Sequence, residues 1–433
     1  MFAKGRLALL VAAGVLPVVL LSLAGADAWV VAACWIAACV VCACVDALVA
    51  ADPRMLRIER EPMRRVLLGE QAMTRLRVRN AGQRRVRGLL RDAWQPTAGA
   101  PAGRLTLDVP GGESRMLTVP LLPRRRGELR SGFVVVRSDG PLGLAGRQRR
   151  IDSPAAVRVL PPFTARRHLP SRLARLRELD GATSVQVRGQ GTEFDSLREY
   201  VRGDDVRSID WRATARATTT MLRTWRPERD RHVVIVIDTG RTAAARVGDG
   251  VRLDAAMEAA LLLAALANRA GDHVHLVMFD RRARARVTRT DGPRLLPALV
   301  DAMAPVEPQL IDTDWDAAFA QLRSLTSRPS LVVVLTAQDA AEAARGFLGS
   351  LPLLAQRTQV LVGTVSAAAS DPPSRPDAQE VYRAAAQARS QADAEVVAEA
   401  IARAGAEAIV DTPERLPPRI ADRYLALKAA GRL

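Results

Sequence analysis

The sequence predicts three structural classes in succession: a hairpin of two membrane-spanning helices, an antiparallel β-sandwich, and an α/β domain with a mostly parallel sheet. Three observations support this order. Two apolar stretches open the chain, short runs of alternating apolar and polar residues follow them, and strand-like runs alternate with helical segments in the second half. At 433 residues the chain is long enough for two domains beyond the hairpin.

The two apolar stretches, residues 7–24 and 29–45, carry no charged side chain. Each is close to the length of about 20 residues that a helix needs to cross a bilayer. Lys4 and Arg6 precede the first stretch, and arginines follow the second. Since basic flanks stay in the cytoplasm, both ends are expected inside. The alternative is a cleaved signal peptide, but the second stretch would then still need to be buried. We therefore expect a hairpin over residues 1–52, with the lipid bilayer as a partner.

The next region, residues 53–162, has the pattern of a small β-sandwich. Residues 74–80 alternate apolar and polar side chains, and the sequence Asn-Ala-Gly supplies a turn after them. Further short alternating runs lie at residues 87–94, 104–109, 114–121 and 132–137. Pro and Gly separate these runs, so we predict one antiparallel sandwich domain here.

The last region, residues 231–433, alternates strands with helices. Its strand-like runs are uninterrupted apolar sequences, as strands buried on both faces require. They lie at residues 232–237, 274–279, 331–335 and 359–363. Helical segments separate them, which predicts an α/β domain with a mostly parallel central sheet.

Composition argues against several classes of function. The net charge of +17 is carried almost wholly by scattered arginines, since Lys4 and Lys428 are the only lysines. Aromatic residues make up 4% of the chain, too few for a platform on which bases stack, so no nucleic-acid partner is expected. Phosphate-loop and common hydrolase motifs are absent from the sequence. An enzyme would have to use Asp204 and Asp205, which are more consistent with a turn. The sequence predicts no catalytic residues and no small-molecule substrate.

The candidate metal ligands lie at the carboxyl ends of the predicted parallel strands, where open sheets bind their ligands. Asp238 ends the first strand, Thr242 follows it, and Thr313 lies in a loop expected at the same edge. Carboxylate and hydroxyl oxygens are suitable ligands for a hard divalent cation. Asp314 or Asp339 could add a second carboxylate. The alternative is that Asp238 caps its own loop and binds nothing.

Residues 163–230 form a segment dense in arginines and acids. Phe194, Leu197 and Tyr200 recur at helical spacing, which predicts a short helix. Arginine pairs well with carboxylates, so the charges are interpreted as an internal salt-bridge network, with a docking surface as the alternative. Trp211 is expected to be a buried anchor, with the energetic centre of an interface as the alternative. The candidate partner-binding residues are Glu193, Arg198, Tyr200, Asp204, Asp205, Arg207, Asp210, Trp211 and Arg216.

The predicted sheet and its loops resemble a von Willebrand factor A domain. The metal-ion-dependent adhesion site of that family takes Asp-x-Ser-x-Ser after the first strand, a Thr from a later loop, and an Asp after the fourth strand. Position by position, Asp238 matches the first ligand, Thr242 the second Ser and Thr313 the loop Thr. Gly240 and Ala337 stand at the other two positions and lack side-chain oxygens. The resemblance implies a degenerate site of Asp238, Thr242 and Thr313, with Mg²⁺ as its cation.

A second resemblance, to the domain-of-unknown-function 58 family, covers nearly the whole chain. It rests on the paired apolar stretches and on three motifs: residues 191–216 with Gly-Asp-Asp and Ile-Asp-Trp, Asp-Gly-Pro-Leu-Gly at 139–143, and the ending at 424–433. Members are generally membrane-tethered, and their genes often neighbour those of MoxR-type AAA+ ATPases. The resemblance implies a protein of the bacterial inner membrane whose soluble body lies in the cytoplasm.

The second resemblance, taken with the sequence patterns, implies a function. We expect a membrane-anchored, non-enzymatic interaction or adaptor protein that partners a MoxR-type AAA+ ATPase in the assembly or maturation of envelope-associated clients. The alternative is a divalent-metal-dependent adhesion or binding module with a degenerate metal site.

Overall fold

The computed structural model describes residues 1–63, 65–186, 193–202, 204–226, 231–248, 250–326, 328–338, 340, 342–366 and 378–433, with the backbone alone at residues 180–186, 193–196, 224–226 and 383. The chain divides into two compact units, Met1–Leu160 and Pro161–Leu433. The first contains apolar helices and β-sheets, and the second is α/β. The predicted succession of apolar helices, β-sheets and an α/β unit is therefore confirmed.

Apolar helices open the first unit. They are α1 (Gly5–Ala13), α2 (Val15–Leu23) and α3 (Ala28–Val49). The segments Gly5–Leu23 and Ala28–Met55 are long and apolar enough to cross a membrane, with mean hydropathies of 2.3 and 2.5. Their length and composition agree with the predicted pair of spans.

The described part of the first unit has nine strands in two sheets. They are β1 (Phe2–Ala3), β2 (Leu56–Arg60), β3 (Val66–Leu67), β4 (Ala72–Asn80), β5 (Val86–Trp94), β6 (Leu105–Val109), β7 (Ser114–Leu121), β8 (Gly127–Asp139) and β9 (Ala145–Leu160). One sheet has the order β1-β9-β8-β5-β6, with β3 parallel to β9, and the other has the order β2-β4-β7. The remaining pairings among these strands are antiparallel.

The two sheets share one apolar core. Strand β4 alternates buried and exposed residues along its whole length, which is the period of a strand with one buried face. Leu76 and Val78 of β4 belong to the same hydrophobic cluster as Leu90, Val134 and Val157 of the other sheet. Each sheet therefore covers the apolar face of the other, as in a sandwich.

A buried ion pair also joins the two sheets. The Arg60 guanidinium, on β2, donates to Asp92 of β5 through two hydrogen bonds of 2.6 and 2.8 Å, and the two side chains are 7% and 2% exposed. Ser131 and Trp94 donate to the same carboxylate, each at 2.8 Å. Arg60 donates further to Ser153 at 2.9 Å. The charges that cross this core are thus surrounded by hydrogen-bond partners.

The last turns of α3 are held by the loop between β8 and β9. Asp46 is 1% exposed. Its carboxylate accepts hydrogen bonds of 2.7–2.9 Å from three backbone amides, those of Leu142, Leu144 and Ala145. Gly140 lies so close that a Cβ at this position would be 2.3 Å from Asp46 Oδ1. The Asp-Gly-Pro-Leu-Gly motif therefore forms a turn that, with the two residues after it, binds the carboxylate of Asp46 on α3.

The described part of the second unit has eight helices and ten strands. The helices are α4 (Leu169–Gln186), α5 (Trp211–Thr214), α6 (Arg252–Arg269), α7 (Leu295–Met303), α8 (Trp315–Leu322), α9 (Arg345–Ala355), α10 (Ala378–Arg403) and α11 (Leu416–Ala429). The strands are β10 (Glu193–Glu199), β11 (Met221–Arg226), β12 (His232–Asp238), β13 (Arg246–Val247), β14 (Gly250–Val251), β15 (His273–Phe279), β16 (Ala283–Val287), β17 (Leu331–Leu335), β18 (Gln359–Val365) and β19 (Glu407–Asp411).

The main sheet of this unit has the order β16-β15-β12-β17-β18-β19 and is parallel except for β16. Its central strand β12 is buried on both faces. Val233, Ile235 and Ile237 belong to a core shared with α6, α7 and α11. Val234 and Val236 belong to a second core shared with α8 and α9. Helices thus cover both faces, which explains the uninterrupted apolar runs in the sequence.

Local structure differs from the sequence prediction in the charged segment. The short helix predicted from the spacing of Phe194, Leu197 and Tyr200 is wrong, because the chain forms strand β10 there. Strand β10 pairs antiparallel with β11, with Arg198 opposite Leu222. Pairing with β11 satisfies the backbone of this segment and outweighs its weak helical spacing. Helix α4 and the antiparallel edge strand β16 were not predicted from the sequence.

Candidate functional site

The first candidate site surrounds Asp238, the last residue of β12, which is 4% exposed. Its Oδ1 accepts hydrogen bonds from the Thr313 hydroxyl at 2.5 Å and the Gly240 amide at 2.8 Å. Its Oδ2 accepts from the hydroxyls of Thr336 at 2.6 Å and Thr242 at 3.4 Å. Three loops therefore converge on one carboxylate.

Parallel strands bring these residues to one edge of the sheet. Strands β12 and β17 are neighbours, so Asp238 and Thr336, which follow their last paired residues, lie side by side. The loop that carries Thr313 is held against the first loop by the backbone, because the Arg241 amide donates to the Ile311 carbonyl at 2.8 Å. The predicted residues Asp238, Thr242 and Thr313 are thus close together in the structure.

Gly240 stands where the von Willebrand factor A pattern has its first Ser. A Cβ added at Gly240 would lie 2.4 Å from Thr313 Oγ1 and 2.9 Å from the Ile311 carbonyl oxygen. These distances are shorter than van der Waals contact, so a serine does not fit unless the Thr313 loop moves. Glycine at this position is what allows Thr313 to reach Asp238.

Burial determines the electrostatics of the site. Removal from water raises the pKa of Asp238 above its ordinary value, and the hydrogen bonds from Thr313 and Thr336 offset this only in part. A cavity of about 10 Å³ lies beside this carboxylate, which is about the smallest space that holds one water molecule.

A second acid, Asp280, follows β15 at the same edge and is fully buried. The Thr239 hydroxyl and Arg284 Nε donate to its Oδ2 at 3.0 and 2.6 Å, and the Arg281 amide donates to its Oδ1 at 2.6 Å. Burial pushes the pKa of Asp280 upward, but the hydrogen bonds from Arg284 and its neighbours outweigh this and lower the pKa below its ordinary value. Asp280 thus already forms an ion pair with Arg284.

The sequence predicted the loop at residues 336–339 at this edge but did not single out Thr336 as a ligand, and Asp280 was missed. Each directly follows a strand of the parallel sheet, and that position was the available signal. The motif comparison instead drew attention to Ala337 and Asp339. Asp339 lies outside the described residues.

The oxygen donors around Asp238 match Mg²⁺ in kind, because hard cations prefer carboxylate and hydroxyl oxygens. They fall short in charge, because the cluster contains one carboxylate. Asp314 serves as the cap of α8, where it accepts a hydrogen bond from the Ala317 amide at 3.0 Å. In the part of the chain that the structure describes, no group of three or more His, Cys, Asp or Glu side chains could hold a metal ion. A cation here would therefore depend on the three threonine hydroxyls.

The second candidate site is the charged segment, where several predicted residues stabilise the segment itself. Arg198 binds Asp204 through two hydrogen bonds, each 2.7 Å long. Asp205 caps a turn by accepting from the Arg207 amide at 3.0 Å. These contacts support the interpretation as an internal salt-bridge network. They also leave Asp204 and Asp205 in structural roles, as their turn-like sequence indicated.

Asp210 completes this internal network. Its carboxylate accepts hydrogen bonds from the amides of Arg212 and Ala213 at the start of α5, and from Arg223 Nε at 2.7 Å. The Ala213 amide and Arg223 lower the pKa of Asp210 below its ordinary value. The acid is thus held in its charged form, and it ties α5 to β11.

Several large apolar residues of the same segment are exposed to solvent. Trp211 is 70% exposed, so the expectation that it is a buried anchor is wrong. Val201 and Val206 are 61% and 60% exposed. Arg207 and Arg216 are also exposed. Tryptophan and arginine are among the residues enriched at protein-binding surfaces.

The last two predicted residues of the segment lie on or beside β10. Tyr200 directly follows the strand and is half-buried, and its amide donates to the Thr220 carbonyl at 2.8 Å. Glu193 begins β10, opposite Arg226, and its side chain is not among those described.

Comparison with known proteins supports the resemblance of this region. The profile of the family described as "Protein of unknown function DUF58" matches residues 196–373. Over 152 residues, or 35% of the chain, the sequence is 26% identical to the uncharacterized proteins Rv1480 of Mycobacterium tuberculosis and Mb1516 of Mycobacterium bovis. The matched stretch is 48% of each relative, so the chain spans about half the length of these proteins.

Solved structures resemble the chain weakly. A PapD-like domain of human CEP192 has a TM-score of 0.19 and 14% identity, covering 25% of this chain and 89% of that one. The CARDB domain of a Pyrococcus furiosus protein has a TM-score of 0.18 and 18% identity, covering 24% and 86%. A GH20 exo-β-N-acetylglucosaminidase of Vibrio harveyi has a TM-score of 0.20 and 12% identity, covering 82% and 75%. These scores are too low to support an inference about fold or function.

Proposed function

We propose that this chain is a membrane-anchored, non-enzymatic adaptor that docks a MoxR-type AAA+ ATPase for the assembly or maturation of envelope-associated clients. The observation that carries the proposal is Trp211, 70% exposed within the region that matches the DUF58 profile. The two N-terminal apolar segments support the anchoring part of the proposal.

The charged segment suits docking because its backbone is supported from within. The pair Arg198–Asp204 holds the turn after β10, and the pair Asp210–Arg223 ties β11 to α5, whose first residue is Trp211. A tryptophan presented on an ordered segment loses little conformational freedom on binding, and tryptophan is enriched at the energetic centres of interfaces. The network and docking interpretations therefore describe different residues of one segment.

The proposal places both units in the cytoplasm, at the inner membrane of a bacterium. Basic residues flank the apolar segments, which favours this orientation. Protease added outside spheroplasts should leave the chain beyond residue 52 intact. Digestion of that portion would show that it lies outside the cytoplasm, and a cytoplasmic ATPase could then not be the partner.

Replacing Trp211 by alanine should reduce recovery of the ATPase strongly, while the protein remains folded. Loss of a central tryptophan at an interface costs about 2 kcal/mol or more, which corresponds to a roughly 30-fold weaker affinity. The measurement is affinity purification of the full-length protein from detergent-solubilised membranes, with the ATPase identified by mass spectrometry.

Tyr382→Ala is the matched control for this substitution. Tyr382 is 78% exposed and lies on α10, outside the matched region. It should recover as much ATPase as the wild type. Equal recovery by Trp211→Ala would contradict docking at this segment, and repeated recovery of the protein without an ATPase would contradict the adaptor proposal itself.

A second candidate function is divalent-cation binding by a von Willebrand factor A-like second unit. The parallel sheet covered by helices on both faces is compatible with that fold, and the three threonine hydroxyls on Asp238 favour a hard cation. In this function, Asp238, Thr242, Thr313 and Thr336 would hold Mg²⁺ as a bridge to an acidic group of the bound protein.

For this second function, we expect saturable heat when Mg²⁺ or Mn²⁺ is titrated into the full-length protein in detergent. Asp238→Asn should abolish the heat, because it removes the one negative charge of the cluster. Thr313→Ser, which keeps the hydroxyl, should retain it. If the wild type is folded and gives no heat with either cation, the metal-dependent function is excluded.

A further inference from the structure

The first unit contains a groove where α3 ends and the β-sheets begin. Its volume is about 460 Å³, within the range of cavities that accept small ligands. The residues that line it include Leu48, Asp52, Met55, Gln83, Arg84 and Arg147. We propose that this groove binds the phosphate headgroup of an anionic phospholipid. The inference rests on the membrane anchoring contained in the proposed function.

Two arginines provide the cationic part of the groove. Arg147 donates from Nε to the Ala47 carbonyl at 2.9 Å and from Nη2 to the Leu48 carbonyl at 2.8 Å. Arg84 donates from Nη1 to the Val49 carbonyl at 3.2 Å. These bonds hold both guanidinium groups at the carboxyl end of α3, where the helix dipole favours positive charge.

Fixed guanidinium groups suit a phosphate. Each arginine carries five N–H donors in a planar fork, so the bonds to the helix carbonyls leave further donors for an anion. Arginine forks match the geometry of phosphate oxygens. One acid also lines the groove, Asp52, at 3.6 Å from Arg147 Nη1. The groove therefore keeps a net positive charge.

The other side of the groove is apolar and continues along the membrane segment. Leu48 and Met55 are 59% and 49% exposed. Val45, one turn earlier on α3, is 49% exposed. If α3 spans the bilayer, the two arginines lie at headgroup level, and this apolar surface faces the acyl chains. The combination of anchored cations with an adjoining apolar strip fits a lipid better than a soluble anion.

The experiment measures lipid retention by the full-length protein. The protein is purified in detergent, incubated with equal amounts of phosphatidylglycerol and phosphatidylcholine, and analysed by native mass spectrometry. The wild type should retain phosphatidylglycerol preferentially. Arg84→Gln/Arg147→Gln should reduce that retention by roughly 30-fold, which corresponds to about 1 kcal/mol of attraction to anionic lipid for each arginine removed.

Two further variants separate lipid binding from damage to the helix end. Gln83→Glu adds a negative charge to the groove without touching the bonds to α3, and it should also weaken phosphatidylglycerol retention. Arg91→Gln/Arg149→Gln removes two exposed arginines that do not line the groove, and it should behave like the wild type. Equal retention of both lipids by the wild type, or unchanged retention by Arg84→Gln/Arg147→Gln, would overturn the proposal.

Two additional measurements separate a failure of the groove proposal from a failure of the membrane anchoring, and lipid from free phosphate as the ligand. Inorganic phosphate at millimolar concentration should not displace the lipid, and full displacement would assign the groove to free phosphate instead. Flotation with vesicles tests the anchor separately. Proteins that float but show no lipid preference would refute the groove proposal alone, whereas a wild type that fails to float would refute the anchoring as well.

Discussion

Replacing Asp92 by asparagine is expected to lower the free energy of unfolding of the first unit by about 3–5 kcal/mol. Arg60 and Asp92 are 7% and 2% exposed and bind each other through two hydrogen bonds across the sandwich core. The substitution leaves the Arg60 charge buried without its counter-ion, and an uncompensated buried charge costs far more than a lost surface contact. Denaturant titration of the full-length protein in detergent measures the difference.

The double substitution Arg60→Met/Asp92→Leu should be much less destabilising than Asp92→Asn. Removing both charges also removes the desolvation cost, and apolar side chains of similar size can fill the core. The exposed pair Arg85 and Asp108, at 50% and 49% exposure, provides the control. Asp108→Asn should change the stability little, because ion pairs exposed to solvent contribute little to folding. If Asp92→Asn were as mild as Asp108→Asn, the buried pair would not hold the two sheets together.

Replacing Asp46 by alanine is expected to cost about 3 kcal/mol, the second largest effect. The buried carboxylate accepts hydrogen bonds from the amides of Leu142, Leu144 and Ala145. Alanine would leave these amides without their acceptor, and each buried unsatisfied donor costs about 1–3 kcal/mol. Since Asp46 links α3 to a loop of the sandwich, we also expect faster trypsin cleavage near that loop.

Asp27→Ala is the matched control at the other end of the same helix. Asp27 accepts hydrogen bonds from the amides of Trp29 and Val30 at 2.8 and 3.2 Å, but it is exposed. Loss of an exposed helix cap costs about 1 kcal/mol. Thermal unfolding in detergent should therefore give a clearly lower midpoint temperature for Asp46→Ala than for Asp27→Ala. Equal midpoints would mean that the contact of Asp46 with the loop contributes nothing beyond a cap.

Much of the fold was predictable because local periodicity reports burial. The run at Leu331–Leu335 was predicted with its observed bounds, since a strand covered on both faces must be apolar throughout. Ser114–Leu121 was predicted equally well from its alternation. The charged segment was not, because polar residues fit either a helix or a strand, and pairing with β11 decided between them.

The candidate sites were predicted in part. The structure brings Asp238, Thr242 and Thr313 together, as the sequence predicted. The sequence offered no means to choose Thr336 over its neighbours. Trp211 was expected in a core and is exposed, because the type of a residue does not report what packs over it. The polar network of the charged segment was foreseen, since opposite charges close in sequence readily meet.

The sequence by itself determined the apolar N-terminal segments, the classes of the two units and the edge of the sheet at which Asp238 lies. These properties follow from composition and from periods of two or about four residues, which act over short stretches of chain. Only the tertiary structure decided which polar groups meet. Asp46 and Leu144 are 98 residues apart, as are Asp238 and Thr336, and no local pattern specifies a contact over that distance.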